Sequence, residues 1–395
     1  MTTSKSLLAL YPPGLRGELF EQILDDKKLP ERYLFYGLDT LIKCGVPVKS
    51  NLNIGPISRI QQAIIWIYKP LAKSWMGAHG NIEWLLPVWK EIKRSPFIYV
   101  FSEKCLYPIL FLRAFGILPR VKTVLVSIGV SEKLQALKKR GLQRQRERLL
   151  KEFSLLTRII TFSSAEKEIL TKEFSLENVS FIPLGVDVEY FRPGVETQSI
   201  DVLGVGADRN RDFETFILAA KKLPEIHFRL LTNEYHAKKL EVMGIPENVD
   251  LRLNVSMADV AEDMSKSKIV FLPVQENTYS GATTCLLQAM ASERAVITNP
   301  VGPTRSGYGQ VHDENVIFVP TGDVEKAVIQ IKRLIKEDDI RRKIGHKARV
   351  TVEEEFSLDR MVDSILSEIS PGYREAFGVA FPCEEKVTQA ASAAI

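Results

Sequence analysis

The sequence predicts two doubly wound α/β domains, each a parallel sheet with helices on both faces. Three observations predict it. The chain has 395 residues, about twice an ordinary domain. Apolar residues make up 45% and charged residues 26%, the balance of a globular chain in water. Short apolar runs ending in glycine, proline or hydroxyl residues alternate with helical runs along the whole length.

In the N-terminal half the candidate strands are SLLALYPPG, VPVKSNL, PFIYVFS, KTVLVSIGV, RIITFSS and VSFIPLG, with helical runs between them. The most apolar window, 107–130, is long enough to raise a membrane span. Arg113, Pro119, Arg120 and Lys122 interrupt it, so it reads as helix, turn and buried strand. In 56–76 the residues Ile57, Ile60, Ile64, Ile67, Leu71 and Trp75 form one stripe. Core packing is the expected use of that stripe. Ile65, Trp66 and Lys69 lie off it and are candidates for a membrane surface.

FRPGVETQSI, where Pro193 and Gly194 break the pattern, is the expected linker. The C-terminal half then alternates cleanly. Strands are read in DVLGVGA, IHFRLLT, VDLRLN, KIVFLPV, AVITNP and NVIFVP, and helices in RDFETFILAAKKL, EYHAKKLEVMG and MADVAEDMSKS. A long helix follows in EEFSLDRMVDSILSEI. The expected divisions are 1–192, 193–355, a helix over 356–370 that crosses back to the first domain, and a loose tail over 371–395.

Net charge is only +4, yet 131–158 holds nine Lys/Arg against three Asp/Glu. Lys133, Arg140, Arg144, Arg148 and Lys151 are spaced to share one helical face. A solvated surface helix and a patch for anionic lipid headgroups both fit. Nucleic acid fits less well, because the rest of the chain has no basic excess. The four cysteines lie far apart without a CxxC pair, which argues against a zinc site and a disulfide scaffold. No segment reads as a secretion signal, so the expected location is cytoplasmic, with peripheral contact on the inner face of the membrane through 131–158.

In open α/β sheets ligands bind beyond the carboxyl ends of the strands. Three such ends carry chemistry. GVGADRNRD (204–212) places Gly206 in a tight turn and Arg209 and Arg211 just before a helix. Cations there oppose the helix dipole and imply an absent anion, and guanidinium groups suit phosphate. SGATTCLLQAM (280–290) starts a helix with Ser280 as its expected cap. Gly281 allows close approach, and the amides of Ala282, Thr283 and Thr284 are ready for an anion. FIPLGVDVEYFRP (181–193) reads as strand, glycine turn and proline stop.

Taken in order, FIPLGVDVEYFRP, VGADRNRDFETFILAA, SGATTCLLQAMASERAVIT and VIFVPTGDVEKAVIQIKRLI resemble glycosyltransferase family 4 over roughly 155–370. The resemblance implies a GT-B architecture, two Rossmann-like domains facing across a cleft. It implies a nucleoside-diphosphate sugar as donor, with no cofactor and no metal, and retention of anomeric configuration. The acceptor would be a glycan, a lipid-linked glycan or a small molecule. Arg211 stands where the family has a lysine on the donor diphosphate, and Arg209 would replace an arginine whose place is taken by Ala207. The family's E-x7-E pair falls on Ser280 and Gln288, so neither glutamate is present. Gln288 can still bond a ribose diol, whereas Ser280 cannot replace a carboxylate and Glu276 is the candidate to do so. The base is expected near Asn254 and Val255. Gly14, Arg16 and Gly17 in YPPGLRGE are the N-terminal candidates for the donor phosphates, and His79 is a loop residue with an acceptor contact as its functional alternative.

Rival readings are a non-catalytic sugar-nucleotide-binding partner subunit, favoured by the missing glutamates, a GT-B epimerase, and a dehydrogenase. The last lacks the full GxGxxG.

Overall fold

A computed structural model describes residues 5–24, 29–52, 55, 57–194, 198–279 and 281–384. The chain forms two compact units, one of residues 1–182 with 362–395 and one of residues 183–361.

Unit 1 holds six parallel strands, β1 (Leu7–Leu10), β2 (Val48–Ser50), β3 (Phe97–Val100), β4 (Lys122–Ser127), β5 (Arg158–Thr161) and β6 (Val179–Phe181), in the order β2-β1-β3-β4-β5-β6. All six fall in the runs read as strands from the sequence. β1 and β3 are buried at every residue, as strands covered on both faces must be. Their side chains meet helix Glu103–Ala114, which fills the first part of the apolar window. Pro119 and Arg120 lie between that helix and β4. Among the described residues no helix is long and apolar enough to cross a membrane.

Three expectations for this unit fail. The stripe on helix Arg59–Met76 joins the core only at Trp75, which is half-buried against it. Tyr68, Ala72 and Met76 face inward, while Ile60, Ile64, Ile67 and Leu71 are exposed. The two sets lie on different faces of the helix, and the longer apolar stripe is the outer one. The basic segment is also two helices, Val130–Lys139 and Gln143–Ser154, broken at Gly141 with φ +66°. Lys133 and Arg148 therefore do not share a helical face. Lys133 turns in to the Gly77 carbonyl, and Arg148 donates to the Trp75 carbonyl at 2.9 Å.

The last helix, Leu358–Phe377, runs through Pro371 rather than stopping there. Pro371 is exposed, so its missing N–H and its ring fall on the outer side of the helix. Beyond it Gly372 abuts Phe97, where a Cβ would come within 2.9 Å of the ring, and Tyr373 stacks on Phe377 at 4.3 Å. Phe381 and Cys383 are buried too, so 371–384 is not a loose tail. The rest of the expected tail, 385–395, lies outside the described residues.

Unit 2 holds β7 (Ile200–Val205), β8 (Phe228–Thr232), β9 (Val249–Leu253), β10 (Ser267–Leu272), β11 (Ala295–Thr298) and β12 (Ile317–Phe318). Their order is β12-β11-β10-β7-β8-β9, all parallel, so the winding reverses between β7 and β10. That reversal puts the loops after β7 and β10 side by side, where open sheets place ligands. Its core packs Phe216, Phe228, Phe271 and Ile297 under the helices.

Candidate functional site

The two loops at the reversal are joined by main chain. The Asp212 amide donates to the Pro273 carbonyl at 2.9 Å, and the Gln275 amide to the Asn210 carbonyl at 2.8 Å. Side chains add a second tie. Asp208 accepts from Arg211 Nε at 2.7 Å on one oxygen, and from the Asn210 amide at 3.0 Å and the Tyr279 hydroxyl at 3.1 Å on the other. Asp208 thus fixes the β10 loop to the β7 loop and aims Arg211.

Arg211 is 5% exposed, and its Nη1 has no partner among the described residues. A guanidinium held by one carboxylate with a spare buried donor is a receptor for a second anion. Gly206 makes room for it, since a Cβ there would lie 2.5 Å from Arg211 Cζ and 2.6 Å from Nη2. Gly206 also has φ +149°.

The helix Thr283–Ala291 supplies the second anion-binding element. In unit 2 the helices beginning after Asp212, Asn233, Ser256 and Asp323 are each capped by that side chain. The helix at Thr283 is not. Its cap position is Ala282, in the left-handed region at φ +65°, with no side-chain bond to the first turn. Ser280, the expected cap, lies outside the described residues, and the cap place belongs to Ala282. An uncapped first turn leaves amides for a ligand, and the Thr283 hydroxyl is fully buried with no partner among the described residues. Gly281 is buried just before it, and Thr284 is half-buried on the first turn.

Beside these groups lies a cavity of about 220 Å³ lined by Val205, Gly206, Ala207, Leu231, Thr232, Asn233, Asn254, Val255, Met257, Val260, Cys285 and Gln288. Its walls are apolar, with a few amides and a hydroxyl, the make-up of a small-molecule site. Gln288 is 2% exposed, and among the described residues its amide nitrogen meets only the Met257 thioether at 3.6 Å. Asn254 holds φ +53° as its amide donates to the Thr232 carbonyl at 2.9 Å. The floor is braced from the end of β8 and from helix Glu234–Met243. Thr232 and Asn233 donate to the Gly206 and Ala207 carbonyls, and His236 Nε2 lies 2.8 Å from the Asp208 carbonyl. That partner can only accept, so Nε2 carries the proton. Burial foremost lowers the imidazole pKa and favours the neutral ring.

The structure therefore brings Gly206, Arg211, Asn254, Val255, Gly281, Ala282, Thr283, Thr284 and Gln288 to one end of one sheet. Other candidates stand apart. Arg209 is exposed and lies over the Tyr235 ring at 5.5 Å. Glu276 is exposed, and its Oε1 accepts from the Gly302 amide at 3.3 Å, at the start of helix Gly302–Arg305. Gly14 and Gly17 belong to unit 1, after β1. Gly14 has φ +109° with open space at its Cβ position, whereas a Cβ on Gly17 would strike the Leu52 carbonyl at 2.8 Å. Gly17 is thus accounted for by packing. Arg16 donates to the Leu34 carbonyl at 3.0 Å. Among the described residues no three His, Cys, Asp or Glu are grouped to hold a metal ion.

Sequence reasoning missed Asp208, Tyr279 and His236. Asp208 had a local signal, since Asp-x-Asn before a helix is an Asx-turn pattern. Tyr279 and His236 reach the site only through the sheet order. It also missed a buried cluster in unit 1, where β3, β4 and β5 end. Ser127 Oγ lies 3.1 Å from Glu103 Oε1 and 2.8 Å from Glu166 Oε1. Glu103 accepts from the Ile128 and Gly129 amides, and Glu166 from the Ser131 amide. Burial foremost, then the Glu103 charge, pushes the Glu166 carboxyl up to about 7.

Comparison with known proteins agrees with this architecture. A family described as "Glycosyl transferase-like" matches residues 209–367, which covers the candidate site from Arg209 onward. No curated protein matches the chain. Among solved structures, sucrose-phosphate synthase from Thermosynechococcus elongatus is 15% identical, with a TM-score of 0.66 over 95% of this chain and 100% of its own. Anabaena HepE in complex with UDP-glucose is 13% identical, with a TM-score of 0.65 over 93% and 99%. A glycosyltransferase from Rickettsia africae is 15% identical, with a TM-score of 0.57 over 95% and 99%. At these identities the likeness is one of fold. The chain has the GT-B fold, with a Rossmann-like sheet in each unit.

Proposed function

We propose that the chain is a glycosyltransferase that moves a sugar from a nucleoside-diphosphate donor to a glycan, lipid-linked or small-molecule acceptor. The observation that carries this reading is the buried Arg211 with its unpartnered Nη1, set beside an uncapped helix start and an apolar cavity. A nucleoside diphosphate is the ligand class that uses all three. Its base and ribose suit the cavity with Asn254, Val255 and Gln288, and its phosphates suit Arg211 and the amides from Thr283. The fold shared with HepE, whose structure holds UDP-glucose, supports a sugar nucleotide over a bare nucleotide.

Breaking the anomeric bond develops positive charge on the sugar and added negative charge on the departing diphosphate. Arg211, aligned by Asp208, and the helix start would hold that charge without rearranging at the moment of reaction. The reading supplies the charge from the chain itself and so needs no metal. Retention and a hexosyl group remain implications of the family resemblance. Arg209, Glu276, Ser280 and Gly14 are kept as donor candidates. The basic 131–158 segment is kept as the membrane contact of a cytoplasmic enzyme, with no nucleic acid partner.

The test is to incubate the protein with UDP-, GDP-, ADP- and TDP-sugars, with and without acceptor extracts, and to measure released diphosphate. Acceptor-dependent release supports transfer. Donor binding without release in any extract favours the non-catalytic subunit, which the lost E-x7-E carboxylates favour. Donor conversion without acceptor favours the epimerase.

A further inference from the structure

We infer that the outer face of helix Arg59–Met76 is a docking surface for an anionic lipid bilayer, on which the helix lies flat. Trp66 is 80% exposed, Ile60 76%, and Ile67 and Leu71 55% each. With exposed Ile64, Ala63 and Pro70 they make a continuous apolar arc along an 18-residue helix, roughly 27 Å long at 1.5 Å per residue. Single exposed apolar side chains are ordinary, but a continuous arc marks a surface that meets something.

Charge says what it meets. The helix contains no Asp or Glu. Lys69 is taken by Glu83 at 3.0 Å, while Arg59 and Lys73 at the edges are exposed and make no ion pair among the described residues. Helix Gln143–Ser154 packs on its C-terminal end. There Arg148 lies over the Trp75 ring at 5.4 Å and Gln145 donates to the Ser74 carbonyl at 3.3 Å. That helix adds exposed Arg144 and Lys151, likewise without an ion pair among the described residues. The apolar surface continues past Trp75, whose ring meets exposed Phe115 at 5.7 Å, with Ile117 exposed beside it. An apolar helix face with tryptophan and a rim on which Arg59, Lys73, Arg144 and Lys151 outnumber the exposed Glu147 fits anionic headgroups over acyl chains. Protein interfaces are depleted of lysine.

The inference rests on unit 1 alone and stands whether or not the chain transfers sugar. Its test is co-sedimentation of the full chain with vesicles of phosphatidylcholine alone and of phosphatidylcholine with phosphatidylglycerol. The chain should bind the anionic vesicles and be partly released by high salt. The variant I60N/W66S/I67N should bind at least about tenfold more weakly, with its thermal unfolding unchanged because the sites are exposed. R144Q/K151Q should weaken binding to anionic vesicles. A wild type that stays in the supernatant with both vesicles overturns the inference. So does a folded triple variant that binds as wild type, or a wild-type dimer that the triple variant splits without any vesicle binding.

Discussion

Replacing Glu166 by Gln should make the protein more stable above neutral pH and should flatten its pH dependence. Ser127 has one hydroxyl proton and can donate it to only one of Glu103 and Glu166, so two buried ionised carboxylates would meet across one shared donor. The folded Glu166 carboxyl sits at about 7, raised from 4.5 chiefly by burial. A group whose folded pKa is raised binds more protons folded than unfolded. Its contribution is therefore complete below pH 4.5 and is lost as pH rises through about 7. The shift corresponds to a loss on the order of 3 kcal/mol across that window. The donors from Ser127 and Ser131 all reach Oε1, so a Gln amide oxygen can take them. Urea unfolding of wild type and Glu166→Gln at about pH 5, 6, 7 and 8 tests this. Wild type should lose stability across the series while the variant stays nearly flat, so that the curves separate above pH 6. A constant difference between the two, or a wild type that gains stability toward pH 8, refutes the shared-proton account.

Four further outcomes follow from unit 2. Arg211→Ala should reduce transfer on the order of 100-fold, as loss of one preorganised donor does, measured as donor turnover with a working acceptor. Gly206→Ala should push the Arg211 guanidinium aside, because its Cβ would lie 2.5 Å from Cζ; calorimetry should show weaker diphosphate binding, and unchanged binding would contradict the placement. Thr283→Val should leave the free protein as stable or more so, by removing an unsatisfied buried hydroxyl, while weakening diphosphate binding; urea unfolding and calorimetry read the two effects separately. Gln288→Ala should weaken nucleoside diphosphates by about fivefold or more, the worth of one hydrogen bond, and leave inorganic pyrophosphate unaffected in competition assays.

The strands were legible because parallel strands buried on both faces must be continuous apolar runs, and VLGV or FIYV admits little else. Gly206, Arg211, Asn254 and the 281–284 helix start were legible because each lies just beyond the end of a strand run, where open sheets bind ligands. The order of strands was not. Nothing local in Tyr279 or His236 says that each reaches Asp208. The direction of an amphipathic stripe was equally hidden. Ile60, Ile64 and Ile67 have the spacing of a core face, and only the packing of Tyr68, Ala72 and Met76 shows that they look outward. Pro371 misled for a similar reason, since a proline on an exposed face is tolerated where one against the core is not. The cap at Ala282 was unreadable, because serine is the better cap and alanine the poorer left-handed residue.

The central claim is that the end of the unit 2 sheet binds a nucleoside diphosphate through Arg211. Thermal unfolding of wild type and Arg211→Ala with UDP, GDP, ADP and TDP tests it most directly. At 100 times its dissociation constant a ligand adds about 2.7 kcal/mol. The account predicts that at least one diphosphate raises the wild-type transition and leaves the variant unmoved. No shift of the wild type with any of the four, or an equal shift in both proteins, would contradict it.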